Sequence, residues 1–386
     1  MITKIELKNF KSHAHTVIEP GRVTALVGPN GCGKTGVLQA LNCFINSLTK
    51  PPSQVFTEEM LPDFLVTGQG KEFSINVVRD FGKTPFKINI KLDTVDQFVG
   101  HPRYWYITVE PVAYPPVGRV PLLESNDIGR LPESSDLRFE DVLQQSTVEY
   151  FKASPKNLSQ PSSVDEYPPK LNSNGTGLSS VIANIILSEP DRLEAIEKAL
   201  CEIVPSIKKI KARHVSLNEV EKSFYLDKGI LRKASYPINK PGYEIVFDTS
   251  STDAVPAHSM SEGTLLLLGM LTLLYSPHPP GIFLLEDIEQ GLHPLAQRQM
   301  ISVLKNFAEK HERQIVLTSH SPYIIDELKP EDVWVMNMDK EGVSHTKRLS
   351  EHPDAGRALG VLTTGELWDA EGENWVIENS AEPVNA

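Results

Sequence analysis

Val23, Ala25, Leu26 and Val27 form an apolar run that stops at Gly28-Pro-Asn-Gly-Cys-Gly-Lys34-Thr35. Helical spacing then resumes at Val37, Leu38, Leu41 and Phe44. Few other patterns constrain a chain this tightly. The turn matches GxxxxGK[ST] completely, and glycines let backbone N–H groups face inward around phosphate oxygens. Asn30, Gly31, Cys32 and Gly33 therefore line a predicted nucleotide site, Lys34 neutralises the terminal phosphates, and the Thr35 hydroxyl ligates Mg²⁺ at the start of the helix. The competing reading, a chance match in a glycine-rich turn, is disfavoured by the strand before it and the helix after it. Cys32 is either a small residue of the loop or a thiol acidified by the helix N-terminus.

A second signal is Gly281-Ile-Phe-Leu-Leu-Glu286-Asp287, an apolar strand ending in two carboxylates. Opposite Lys34, the first can hold the Mg²⁺ shell and the second can polarise an attacking water. A solvated strand end is the plain alternative. Glu289-Gln-Gly-Leu-His293-Pro294 follows at once, and Val316-Leu-Thr-Ser-His320-Ser-Pro ends the next strand. His320 is placed there to reach a terminal phosphate, or only to cap the strand end. The third signal is Ser259-Met-Ser261-Glu262-Gly263-Thr264 before the apolar helix Leu265–Tyr275. A hydroxyl, a glycine and a helix N-terminus make an anion site. Beside its own chain's phosphate loop it would be redundant, so Ser261 and Gly263 are predicted to face the nucleotide of a second subunit. A simple helix cap is the alternative.

Phosphate loop, S-x-G, acidic strand end, GLHP and TSHSP, in this order, resemble an SMC/RecF-like ABC-class ATPase. The opening LKNFKSH beside GPNGCGKT is similar to RecF and the double-strand-break-repair ATPases. The likeness covers roughly 1–45 and 255–340. It implies an α/β fold: an ABC-type P-loop NTPase with a mainly parallel sheet flanked by helices, an N-terminal antiparallel β part and an inserted helical or irregular lobe. It assigns Lys34 and Thr35 to phosphate and Mg²⁺, Glu286 to the metal side, Asp287 to water polarisation, His320 to the switch, and Ser261 and Gly263 to the signature acting in trans. By the same likeness Lys11 and Ser12 lie near the nucleotide. One departure matters: the family carries Asp-Glu where this chain has Glu286-Asp287. A water-polarising acid one methylene shorter shifts by roughly 1 Å, enough to slow hydrolysis, so a slow ATPase is expected. The Gln of the Mg²⁺ shell has no clear counterpart, Gln144 and Gln145 being the candidates.

Length allows two to three lobes: 386 residues. The expected boundaries are 1–110 for a first ATPase lobe, 111–250 for an inserted region with long loops, 251–345 for a second ATPase lobe and 346–386 for a tail. Nine prolines between Pro111 and Pro169 argue for surface loops around one helix near Phe139–Phe151. Phe73–Leu92 reads as a hairpin turning near Phe81-Gly82-Lys83, and Ser206–Phe247 carries alternating segments able to pair as strands. No heptad run stands between Lys34 and Ser261, so any projection is a short helical or β lobe. A net charge of −12 argues against a nucleic-acid coat protein or a basic membrane binder. Three cysteines without metal spacing, and no membrane-length apolar run, point to a reducing cytoplasm.

The basic run Lys208-Lys-Ile-Lys-Ala-Arg213 is either a DNA contact or a solvated face. After His320 the sequence leaves too few residues for a TOPRIM nuclease like the one fused to OLD-family ATPases, so none is expected. Its acid- and Trp-rich end is similar to stand-alone bacterial ATPases encoded beside a nuclease-like protein and linked to phage defence. Glu366, Asp369, Glu371 and Glu373 are weak metal candidates; Trp368 and Trp375 are expected as anchors of a docking tail. The leading expectation is a homodimer, or higher homo-oligomer, closing around ATP and Mg²⁺ to control DNA or a separate nuclease-like effector in DNA maintenance or anti-phage defence. The alternative is an ATP-bound scaffold with negligible turnover. A membrane-transporter subunit fits less well, because GLHP is rare there.

Overall fold

The computed structural model describes residues 1–47, 72–80, 85–93, 104–111, 120–121, 147–227, 230–358 and 360–378. The chain divides into two compact units. The first comprises Met1–Tyr150, Pro280–Glu289 and Ile301–Ala386. The second comprises Phe151–Pro279 and Gln290–Met300.

In the first unit, β1 (Ile2–Phe10), β2 (His13–Ile18), β4 (Glu72–Asp80), β5 (Pro85–Asp93), β6 (Tyr104–Pro111) and β7 (Val120–Pro121) form a sheet in the order β2-β1-β4-β5-β6-β7. All its pairings are antiparallel. The hairpin expected over 73–92 is present, with Asp80 opposite Pro85; its Phe81-Gly82-Lys83 turn lies outside the described residues. A second sheet holds β3 (Val23–Val27), β8 (Val148–Phe151), β12 (Ile282–Leu285), β13 (Gln314–Ser319), β14 (Val333–Met338) and β15 (Ser344–Arg348), ordered β15-β14-β3-β13-β12-β8. β3 pairs in parallel with β13 and β14, and β12 with β13. Every residue of β3, β12 and β13 is buried, the mark of strands covered on both faces.

Helix α1 (Lys34–Ser47) supplies Val37, Leu38, Leu41 and Phe44 to one core cluster. Ile5, Leu7, Phe10 and Phe73 of the antiparallel sheet enter the same cluster, as do Leu26, Leu284 and Val316 of the parallel one. Phe10 and Phe73 meet edge to face, centroids 5.2 Å apart. Each such side chain contributes about 1.5–3 kcal/mol by burial, and together they hold the start of α1 in place under the phosphate loop.

The second unit is built on α2 (Pro155–Leu158), α3 (Leu178–Ser188), α4 (Pro190–Ile203) and α5 (Glu262–Leu274). α5 is apolar all round, buried from Gly263 to Leu274. From this unit runs a long hairpin of β9 (Ile207–Asp227) and β10 (Ile230–Thr249), with short β11 (Val255–Pro256) on its β10 side. The register is continuous from Phe247↔Ile210 to Ile230↔Asp227. At about 3.3 Å per residue, such strands span roughly 65 Å. Ile207, Ile210, Ile245 and Phe247 are buried at the base, whereas Val220 and Tyr236 farther along are exposed. The alternation read over 206–247 thus makes one ribbon, in a region where no heptads were found. In the basic run, Lys211 pairs with Asp248 at 2.5 Å and Arg213 with Glu244 at 2.7 Å, so these two cations are answered within the hairpin.

Two expectations are corrected. Of the segment expected as a helix near Phe139–Phe151, residues Val148–Phe151 form strand β8 instead, because Val148, Tyr150 and Phe151 suit a pleated edge beside β12 better than a helix; residues 139–146 lie outside the described set. The tail tryptophans are not held out as anchors. α6 (Pro294–Lys310), α7 (Pro322–Ile325) and α8 (Ala355–Ala358) precede α9 (Thr364–Glu371) and α10 (Trp375–Glu378). Trp368 on α9 and Trp375 on α10 are each only 7% exposed. Trp375 stands edge-on to His352 at 4.9 Å. α9 opens with a reciprocal Thr363–Glu366 capping box, and Gly365 brings it against the α7 backbone, where a Cβ would lie 2.2 Å from the Pro322 carbonyl oxygen. Among the described residues, no helix is long and apolar enough to cross a membrane.

Candidate nucleotide-binding site

The phosphate loop joins β3 to α1, as the apolar run and helical spacing require. Gly28, Gly31 and Gly33 have φ of 141°, 83° and 107°, values that only glycine adopts without strain. At Gly28 a Cβ would lie 2.1 Å from the Met336 carbonyl oxygen of the neighbouring strand. Lys34 is 6% exposed, and its ammonium donates to the carbonyls of Gly28 at 2.7 Å and Pro29 at 2.8 Å. The Cys32 thiol is buried, and burial pushes its pKa up, against the pull of Lys34. Cys32 is thus a packing residue of the loop, and not an acidified nucleophile.

Over the loop lies a cavity of about 310 Å³. Asn30, Gly31, Gly33, Lys34 and Thr35 line it, together with Lys11, Ser12, Asp287 and His320. Residues drawn from the first 35 positions and from 287 and 320 are thereby gathered around one space. Lys11 sits at the β1–β2 turn with φ 53°, and its ammonium donates to Gln39 on α1. Ser12 is held by β15, whose Ser344 donates from its backbone N–H to the Ser12 carbonyl at 2.7 Å.

The two carboxylates at the end of β12 are held differently. Glu286 accepts the Thr35 hydroxyl proton on Oε1 at 2.6 Å and the Tyr150 hydroxyl proton on Oε2. Asp287 has φ 49°, which an aspartate tolerates better than most residues. Its N–H donates to Thr318 Oγ1 at 2.9 Å, and that hydroxyl donates to Asp287 Oδ1 at 3.0 Å. One side chain on β13 therefore fixes both backbone and carboxylate of the cavity-lining acid. His320 is exposed at the strand end, its backbone N–H donating to Glu289 Oε1 at 2.7 Å. Glu289 thus caps the backbone at this strand end, and His320 is among the residues that line the cavity.

The oxygen donors fit Mg²⁺, a hard cation. Thr35 Oγ1 gives its proton to Glu286 and so keeps its lone pairs for a metal. Thr35 and Glu286 would hold the ion there, directly or through water. Gln144 and Gln145 lie outside the described residues.

Ser261 and Gly263 belong to the second unit and are not among the residues that line this cavity. Ser261 is exposed and caps α5, accepting from Thr264 N–H at 3.3 Å. Gly263 is buried against the GLHP segment, where a Cβ would lie 2.4 Å from the Gly291 carbonyl oxygen. The glycine therefore has a packing reason within its own unit, and of the pair only the serine is exposed.

Sequence reasoning missed His13. It is fully buried on β2, donating from Nε2 to the Gly33 carbonyl at 3.1 Å while Nδ1 accepts from Thr16 at 3.0 Å. Burial lowers its pKa to about 4. The folded state thus disfavours the imidazolium. Below pH 6.5 the unfolded chain binds a proton that the folded chain refuses, so stability falls as pH drops from about 6.5 to 4. The loss is on the order of 3 kcal/mol. Thermal melts of wild type and His13→Gln over that range should show a shallower acid slope in the variant; parallel slopes would refute the assignment. Thr318, Gln39 and Tyr150 were also missed. Thr318 lies inside the run Thr318-Ser-His320 at the end of β13 and so carried a local signal. Tyr150, 136 residues from Glu286, carried no local signal.

A phosphate loop, a paired acidic strand end and a histidine lining the same cavity, on a mainly parallel sheet beside an antiparallel one, define an SMC/RecF-like ABC-class ATPase. Residues 23–326 match the AAA_21 family, described as an AAA domain, putative AbiEii toxin, Type IV TA system, and the chain belongs to that family. It is 24% identical over 375 residues to the OLD nuclease of Thermus scotoductus, across 88% of this chain and 63% of that protein. The chain thus spans less than two thirds of that relative's length. A 43-residue stretch is 56% identical to the chromosome partition protein Smc of Chlorobaculum tepidum, covering 10% of this chain and 4% of that one. Among solved structures, an Smc head bound to the C-terminal winged-helix domain of ScpA covers 91% of this chain and 98% of its own, at TM-score 0.53 and 16% identity. A Pyrococcus furiosus Smc head with an extended coiled coil, bound to the ScpA C-terminal domain, covers 93% and 99%, at 0.50 and 14%. These likenesses establish the fold.

Proposed function

We propose that the chain is a slow ATPase switch that closes as a dimer around ATP and Mg²⁺. The observation that carries this reading is the convergence of Lys34, Asp287 and His320 on one cavity, with Glu286 bound to Thr35 beside it. The Asp287 carboxylate accepts a proton from water as its oxygen attacks the γ-phosphorus. The bond from that phosphorus to the β,γ-bridging oxygen breaks, and ADP leaves. Lys34 gives up its two loop carbonyls to neutralise the phosphates, and the loop N–H groups, held from behind by His13, follow the charge as it builds. Thr35 and Glu286 would hold Mg²⁺, which would supply further neutralisation of phosphate charge. His320 donates to the γ-phosphate.

Slow turnover follows from Asp287, whose short side chain is tethered to Thr318 and cannot advance toward water as a glutamate would. Ser261, exposed at the N-cap of α5, completes the partner's site through its hydroxyl. In this reading ATP favours the closed pair because only that state supplies Ser261. The output is control of a separate nuclease-like effector, in DNA maintenance or anti-phage defence; likeness to part of an OLD nuclease supports that choice.

The test is phosphate release by the purified chain with Mg²⁺ and ATP, with and without linear duplex DNA, alongside sedimentation with ATP. Expected is turnover well below the roughly 10 per second typical of enzymes, and an ATP-dependent rise in mass. Many turnovers per second, or a monomer at all ATP concentrations, would refute the switch. DNA stimulation would mean that the chain senses nucleic acid itself; its absence at low salt would route the signal through a protein partner.

A further inference from the structure

The acidic strand end carries a glutamate, Glu286, on the metal side. Compared with aspartate, the extra methylene adds a torsion, and an untethered glutamate spreads over several rotamers. In this chain it is tethered at both oxygens. Thr35 Oγ1 donates to Oε1 at 2.6 Å, and the Tyr150 hydroxyl donates to Oε2. Tyr150 is well placed to do this. Its strand, β8, lies next to β12, with Ile282 N–H donating to the Thr147 carbonyl at 3.2 Å and Gly281 N–H to Thr147 Oγ1 at 3.1 Å. Its ring packs on the core cluster that also holds α1. A phenol on a packed ring has little freedom to lose, so its O–H makes a rigid second anchor.

We propose that Tyr150 is a positioning residue for the metal site: its hydroxyl locks Glu286 in the rotamer that presents Oε1 to Thr35. The inference rests on the ATPase reading above and deepens it. Glutamate and tyrosine form a matched pair. The glutamate is long enough to span from Thr35 to β8, and the tyrosine removes the disorder which that length brings. An aspartate at 286, one methylene shorter, would not hold Thr35 and the phenol together.

The test uses the full chain and reads metal binding rather than turnover alone. Mn²⁺ affinity is measured by electron paramagnetic resonance with a non-hydrolysable ATP analogue, and nucleotide affinity is measured separately in EDTA. Tyr150→Phe keeps the packed ring and loses only the hydroxyl. It should weaken Mn²⁺ binding about 5–20-fold, the range expected for losing one hydrogen bond to a charged group. Nucleotide affinity in EDTA should stay within about twofold, and saturating Mg²⁺ should restore phosphate release. In a Glu286→Asp background, Tyr150→Phe should add nothing, because the shorter carboxylate no longer holds Thr35 and the phenol together. Wild-type Mn²⁺ affinity in Tyr150→Phe, or an undiminished effect in the Glu286→Asp background, would overturn the proposal. A wild-type protein that binds the nucleotide with no response to Mn²⁺ would instead overturn the metal-site reading itself.

Discussion

Asp287→Asn should reduce phosphate release by at least about 100-fold, the low end of what a positioned general base supplies, while leaving ATP bound. Asparagine has nearly the same shape and can still accept from the Thr318 hydroxyl, so the loop at φ 49° and its tether should survive. What is lost is the carboxylate that takes the proton from water. If hydrolysis is what opens the nucleotide-bound pair, the variant should accumulate as an ATP-dependent dimer. Sedimentation with ATP and Mg²⁺ reads this directly. A variant that stays monomeric would defeat the sandwich arrangement, and one that hydrolyses at the wild-type rate would remove Asp287 from the chemistry.

Lys34→Ala should lower nucleotide affinity by roughly 100-fold or more, since each hydrogen bond from a charged donor is worth about 1.5–3 kcal/mol and the ammonium can make two. Burial sets the size of the effect. Lys34 is only 6% exposed, so its charge acts on phosphate through little water. Without nucleotide that charge is partly satisfied by the carbonyls of Gly28 and Pro29, and binding must exchange those bonds for phosphate oxygens. The net gain is therefore smaller than the gross attraction. Titration with a fluorescent ATP analogue decides the matter; affinity within threefold of wild type would show that the backbone cradle alone binds the phosphates.

These two effects concern residues that were legible before any fold was known, because the chemistry of phosphate binding leaves a contiguous mark. A loop whose backbone must face inward needs glycine at Gly28, Gly31 and Gly33, and the positive φ at all three bears that out. The buried parallel strands were legible for a similar reason. Val23–Val27, Ile282–Leu285 and Gln314–Ser319 are covered on both faces, and that shows as short apolar runs. The long ribbon of β9 and β10 was visible as alternation over Ser206–Phe247, although not its length. Sequence reasoning failed where a segment's environment came from elsewhere. Val148–Phe151 has local spacing compatible with a helix, and becomes a strand because β12 offers an edge. Trp368 and Trp375 read as anchors in an acid-rich tail. They are buried because α9 fits closely on α7 at Gly365 and because α10 packs beside β14 and β15.

By itself, the sequence determined the nucleotide loop, the acidic strand end and the class of sheet, since each depends on residues adjacent in the chain or at a fixed helical or strand period. Tertiary structure alone decided how those groups are held. Tyr150 and Thr35 reach Glu286 from positions 136 and 251 residues away, Thr318 grips Asp287 across two neighbouring strands, and His13 braces Gly33 from behind the loop. A hydrogen bond is made by whatever atom arrives within about 3 Å, and contacts so far apart in the chain come together only when the two sheets and α1 close on their shared core.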